Sequence, residues 1–221
     1  MTKKVFFLNL LIIFFFTSTI NSQEDQICDI ILQKYRKINT IKTSFDQILK
    51  SKTTKQEEQR KGIIICKKTK HALKVRWEIQ SPEKEVLIVN GDTIWDYFPE
   101  NEIAYKYKLS KIEQSRIIFD LISGRLNIKE KFTIEPDRDK KDKNLQKYKL
   151  IPNKPEPNMV LVYLWIDNDY WIRKINIIDF FGNENIISFN DIKTNISLQE
   201  KDPFWETVPQ HIQIVEGSPQ Q

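Results

Sequence analysis

The chain has 221 residues, enough for one ordinary domain with a substantial core. Its 35 Lys and Arg against 30 Asp and Glu leave a net charge of +5, spread along the chain. That is not the concentrated basic stripe of a nucleic-acid binder, and five glycines and two histidines leave little for a phosphate-cradling loop or a histidine-rich metal site.

The first 22 residues have the three-part layout of a secretory signal peptide. Lys3 and Lys4 form the basic start, residues 5–16 are nearly all apolar, and Thr17-Ser18-Thr19-Ile20-Asn21-Ser22 lead to the expected cut. The apolar run is shorter than the roughly 20 residues needed to span a bilayer. The expectation is a cleaved leader, 1–22, and a single exported domain, 23–221. Losing Lys3 and Lys4 with no acid lowers the net charge from +5 to +3. Cys28 and Cys66 then share a compartment that permits disulfides. Their spacing leaves both a bridge and two thiols open.

An amphipathic helix is predicted over 24–39, where Ile27, Ile30, Ile31, Tyr35 and Ile38 make an apolar stripe. The period then changes to two. Phe45, Gln47 and Leu49 start a strand, a polar stretch over 50–61 reads as a long hairpin loop, and 62–66 is apolar again. Leu73, Val75, Trp77 and Ile79 alternate with Lys74, Arg76 and Glu78, the pattern of a half-buried antiparallel strand. Asn90-Gly91-Asp92 is a tight-turn signal between strands at 86–89 and 93–98, and 102–107 follows. A helix is expected over 111–123, stopped by Gly124. Six further strands are predicted at 130–135, 146–151, 159–166, 170–179, 184–192 and 211–215. The fold class is therefore α+β, mainly antiparallel: a curved sheet or open barrel of about ten or eleven strands with two or three helices on one face.

No catalytic constellation emerges. There is no nucleophile elbow, P-loop, HExxH or paired CxxC, and His71 and His211 stand alone in polar surroundings. The expectation is a non-enzyme without metal or cofactor. In place of chemistry the chain carries a surplus of aromatic residues on its strands, among them Trp77, Trp95, Tyr97, Tyr163, Trp165 and Phe189. Residues 159–166 are apolar on both faces, which predicts a strand covered on both sides. Such surfaces either fill a core or line an apolar ligand cavity.

Several runs are similar to the outer-membrane lipoprotein carrier (LolA) family. They are Arg76-Trp77 with Ser81-Pro82, Gly91-Asp92, and Ile94-Trp95-Asp96-Tyr97-Phe98-Pro99. Ser44-Phe45-Asp46-Gln47, Gly62, Leu150-Ile151-Pro152, Asp179-Phe180-Phe181-Gly182-Asn183 and Phe204 with Pro209 agree in order. The resemblance implies an incomplete, half-open β-barrel closed by a helical lid around a hydrophobic cavity. It also implies a periplasmic chaperone that takes acylated lipoproteins from an inner-membrane lipoprotein-releasing ABC transporter to an outer-membrane acceptor, as a monomer. An envelope sensory or scaffolding module on the same half-barrel is the alternative. Val75, Trp77, Ile79, Leu87, Val89, Trp95, Tyr97 and Phe189 are the expected cavity lining, and Ile117, Ile118, Leu121 and Ile122 the expected lid contacts. The family's Arg-Pro pair after the second strand is missing; this chain reads Lys67-Lys68-Thr69-Lys70-His71 there.

Overall fold

A computed structural model describes residues 23–69, 72–111, 113–137, 144–154, 156–198, 203–205 and 208–217. The expected leader and His71 lie outside these residues. Twelve strands form one open sheet in the order β12-β6-β5-β4-β3-β2-β1-β11-β10-β9-β8-β7. Two antiparallel runs compose it. The first comprises β1 (Thr40–Lys50), β2 (Glu57–Lys68), β3 (Leu73–Ser81), β4 (Glu85–Asn90), β5 (Thr93–Phe98) and β6 (Ile103–Lys108). The second comprises β7 (Phe132–Asp137), β8 (Leu145–Pro152), β9 (Leu161–Asp167), β10 (Ile172–Ile178) and β11 (Glu184–Thr194). Pairing of β1 with β11, from Ile41 opposite Thr194 to Lys50 opposite Glu184, welds the two. A short β12 (Gln213–Glu216) adds to β6 in parallel, an orientation the sequence pattern did not anticipate.

The strand β2 begins five residues earlier than the apolar pattern starts. Residues 57–61 are polar and mostly exposed, so their partners are backbone and charge: Lys50 with Glu57 at 3.4 Å and Lys61 with Asp46 at 3.5 Å. The expected long loop shrinks to a turn in which Ser51 N–H donates to Gln56 O at 2.9 Å. Gly62 sits at a register shift against β3, where a Cβ would fall 1.9 Å from Glu78 O and 2.9 Å from Phe45 Cε1. No other residue fits there without moving backbone.

Among the described residues three α-helices cover one face. In α1 (Gln23–Arg36) the buried stripe is Cys28, Ile31, Leu32 and Tyr35, while Ile30 is left in solvent. Those four positions follow i, i+3, i+4, i+7, a better helical face than the one expected. Tyr35 ties the helix to the sheet: its hydroxyl oxygen accepts Ile172 N–H at 3.1 Å and its ring meets Trp171 edge-on at 5.6 Å. Helix α2 (Glu113–Ile122) ends in a Schellman turn, with Gly124 N–H on Leu121 O at 3.0 Å and Arg125 N–H on Asp120 O at 2.8 Å. Gly124 has φ +68°, and a Cβ would lie 2.8 Å from Arg36 N, so the ends of α1 and α2 cross backbone to backbone. One turn of α3 (Ile128–Lys131) then leads into β7. Cys28 and Cys66 are buried thiols in this core rather than a disulfide, and burial pushes the Cys66 thiol well above its ordinary range.

Strand β9 is covered on one side only. Val162, Leu164 and Ile166 enter the core, whereas the outward rings carry lysine ammonium groups on their faces: Lys147 Nζ lies 4.2 Å from the Tyr163 centroid and Lys174 Nζ 4.7 Å from that of Trp165. No second layer is needed, because cations packed on the ring faces take its place.

Candidate apolar ligand site

The inner face of the sheet, beneath the helices, carries one contiguous apolar surface. Antiparallel partners point to the same face, so Phe45, opposite Phe189 on β11 and Gly62 on β2, brings its ring toward the centre. Trp77 packs on it with ring centroids 4.9 Å apart. Val75 and Ile79 flank Trp77, and Val89 and Leu87 lie opposite Val75 and Trp77. All of these are buried except Leu87, which is partly covered.

The roof is α2. Ile117, Ile118, Leu121 and Ile122 are all buried in the same cluster, and Phe119 meets Trp77 edge-on at 5.8 Å. The space that the resemblance implies as a cavity is thus filled by the helices' own side chains. A hollow of about 410 Å³ opens at the roof's margin, walled by Arg116, Ile117 and Asp120 on one side and Phe132, Pro152 and Met159 on the other. That is the low end for a drug-sized ligand, so a longer apolar ligand would fit only if α2 moved.

Two expected lining residues sit elsewhere. Trp95 and Tyr97 point to the outer face, where they pack on Trp205 at 6.2 and 5.2 Å. They belong to a second cluster with Ile65, Val86, Ile88, Phe204 and Ile212, covered by the C-terminal segment. The cause is the turn. Asn90 pairs with Thr93, so the loop is Gly91-Asp92 and Val89 faces Ile94 while Ile88 faces Trp95. Counting Asn90 into the loop would set Leu87 opposite Trp95, and that one-residue difference exchanges the faces.

The same register brings an unexpected acid inside. Asp96, only 5 % exposed, lies on the inner face opposite Leu87, and Tyr107 Oη donates to its Oδ2 at 3.4 Å. Burial first, then the neighbouring Glu85, pushes the Asp96 carboxyl up to about 7. Arg60, 3.7 Å from Glu85, only partly offsets this.

Lys68 occupies the stretch that lacks Arg-Pro. Its Nζ donates to Tyr35 O at 2.7 Å and Arg36 O at 3.0 Å, satisfying the last carbonyls of α1 and fastening that helix to β2. Lys68 and Asp96 were not expected at the site, whereas Phe45 and Phe119 were expected on the first strand and on the apolar face of the second helix without a site role. Asp96 was readable from the two-residue turn.

Among the described residues no group of three His, Cys, Asp or Glu is arranged to hold a metal, and no helix is long and apolar enough to cross a membrane. His211 is exposed.

An open antiparallel half-barrel with a helical roof over an apolar inner face defines the class. Residues 36–203 match the family described as outer membrane lipoprotein carrier protein LolA, and the chain belongs to that family. An outer-membrane lipoprotein carrier protein of Francisella tularensis subsp. novicida is 24 % identical over 212 residues, covering 94 % of this chain and 96 % of its own. One from Methylococcus capsulatus is 22 % identical over 162 residues, 73 % of this chain and 74 % of its own. The crystal structure of an uncharacterized conserved protein from Thermus thermophilus shares the fold with a TM-score of 0.52 at 10 % identity, over 88 % of this chain and all of that one.

Proposed function

We propose that this protein is a periplasmic carrier that shelters the acyl chains of lipoproteins between the inner and the outer membrane. The observation that supports it is a continuous inner apolar face roofed by one short helix on a sheet whose edges, β7 and β12, remain unjoined. Such a roof can lift without breaking a strand ladder.

The energetics suit reversible uptake. Burying Ile117, Ile118, Leu121 and Ile122 is worth about 1.5–3 kcal/mol each, roughly 6–12 kcal/mol together. Acyl methylenes contribute about 0.8 kcal/mol apiece on entering the same space, so about eight to fifteen of them offset the displaced roof. Cargo is then held against water yet can be handed on. The cargo's own donor, an ABC transporter in the inner membrane, and an acceptor at the outer membrane complete the route. The protein works as a monomer, and no bond of the cargo is made or broken, so no catalytic group or cofactor is required.

The test is a saturable titration of the processed protein with a fluorescent long-chain acyl probe. It is repeated after a disulfide engineered between α2 and the sheet in a Cys28→Ala/Cys66→Ala background. Uptake should vanish with the crosslink formed and return on reduction, with the unfolding transition retained. Undiminished uptake by the crosslinked protein would overturn the reading.

A further inference from the structure

The turn joining β10 to β11 reads Asp179-Phe180-Phe181-Gly182-Asn183, and its two phenylalanines are 72 % and 69 % exposed. No other large hydrophobic residue among those described comes near this; Ile214 and Ile30 follow at 46 % and 39 %. The rings hold each other edge to face, centroids 5.7 Å apart at 85°.

The exposure is built in. Gly182, at φ +79°, donates its N–H to Asp179 O at 3.0 Å, and Asp179 N–H donates to Asn183 O at 3.1 Å. Asn183 returns two bonds of 2.8 Å to the Asp179 carboxylate. Two neighbouring loops brace the turn from outside: Lys52 N–H donates to Asn183 Oδ1 at 2.9 Å, and Phe180 N–H to Pro157 O at 2.9 Å. A turn this well bonded does not hold two phenylalanines in water by accident of fraying.

Its place in the fold matters. Pro157 belongs to the β8–β9 loop, and that loop's Asn153, Lys154 and Glu156 help wall the hollow at the margin of α2. The turn therefore stands beside the mouth through which the roof would open.

The shape of the patch decides its partner. Two rings offer about 150–250 Å² each, far below the roughly 1,200 Å² of a stable protein interface, and their surroundings are polar. They project from a turn tip and form no groove. Aromatic rings on such a tip suit the interfacial layer of a bilayer. Lys52, Lys55 and Lys154 are exposed on the two adjoining loops and enter no ion pair among the described residues, which favours anionic headgroups.

We propose that Phe180 and Phe181 form a membrane-contact tip that dips into the interfacial layer of an anionic phospholipid bilayer and sets the mouth beside α2 against the lipid. The role assigned to that mouth rests on the carrier reading; the membrane contact itself does not.

Flotation of the processed full-length protein with phosphatidylglycerol–phosphatidylethanolamine vesicles tests it. The wild type should co-float, and Phe180→Asp/Phe181→Asp should lower the vesicle-bound fraction at least about tenfold, since it replaces two inserting rings by two charges. Phe180→Trp/Phe181→Trp should keep the contact and gain tryptophan quenching by brominated lipid. Equal flotation of the wild type and the Asp variant, or no flotation of the wild type, overturns the proposal. Acyl-probe titration in vesicle-free solution separates the two readings: both proteins should bind the probe equally, and a wild type that floats without binding probe would sink the carrier reading alone.

Discussion

Trp77 and Trp95 belong to one sheet, two strands apart, and face opposite ways. Trp77 is sealed between Phe45 and Phe119 under a helix that contributes its own buried aliphatic residues. Trp95 is half-buried on the outer face, against Trp205 of a C-terminal segment and beneath Lys106. The outer cover is also fastened by polar bonds, from Arg76 Nη1 to Pro203 O at 3.5 Å and from Asn90 Nδ2 to Phe204 O at 3.4 Å. One sheet thus carries an apolar face roofed by a short helix and another whose cover is tied down by polar bonds. Aromatic content alone does not tell them apart; what lies over each ring does.

The comparison breaks most directly at the two tryptophans. Trp77→Ala should cost about 3–5 kcal/mol in urea unfolding and depress acyl-probe binding, because it empties the centre of the inner face. Trp95→Ala should cost about 1–2 kcal/mol and leave the probe affinity unchanged. Equal losses of probe binding in the two variants would erase the distinction between the faces.

Gly62→Ala comes next. Its new methyl must displace Glu78 O or the Phe45 ring, and a penalty of about 1–3 kcal/mol is expected. Gly91→Ala, with nothing within 4 Å of the added carbon, should show only the smaller cost of its positive φ. Matched penalties would mean that the backbone around Gly62 yields cheaply and that the close approach does not make glycine necessary there.

A smaller change is expected at Lys68→Met. It removes two bonds to the end of α1 while keeping most of the aliphatic stem, for about 1–2 kcal/mol. Faster hydrogen exchange confined to α1 would place the loss at this fastening; protection falling evenly through the sheet would not.

The effect of opposite sign, read from a pH slope, is at Asp96. Its folded-state pKa lies above the ordinary carboxylate value, so the folded protein holds a proton that the unfolded chain releases. Stability from this group is complete below about pH 4 and is lost as pH rises through about 7. Asp96→Asn should flatten that slope and raise the urea midpoint at pH 8. A lower midpoint at pH 8 would show that the carboxylate is stabilising and not merely tolerated inside.

Much of this architecture was legible from period alone. The alternation of residues 73–79 gave the inner face of β3, and the apolar width of 117–122 with Gly124 gave the roof and its stop. Legibility failed where geometry hangs on a count or on charge. One residue in the Gly91-Asp92 turn moved Trp95 and Tyr97 to the wrong side and hid Asp96. Residues 57–61 carry no apolar signal, so half of β2 was read as loop. The parallel partner of β6 and the fastening by Lys68 join segments distant in sequence, which no local pattern encodes.

The joint between β1 and β11 has a consequence for how the molecule comes into being. Phe45 pairs with Phe189, and every strand from β2 to β10 lies between them in the chain. The strand at the centre of the finished sheet is therefore among the first to be made and must wait for its second neighbour until almost the last. Throughout that interval β1 presents a bare ladder edge and an apolar face to other chains. Newly made copies should aggregate above a threshold concentration unless something shields that edge, and under the carrier reading an escort of other proteins would then need an escort of its own at birth.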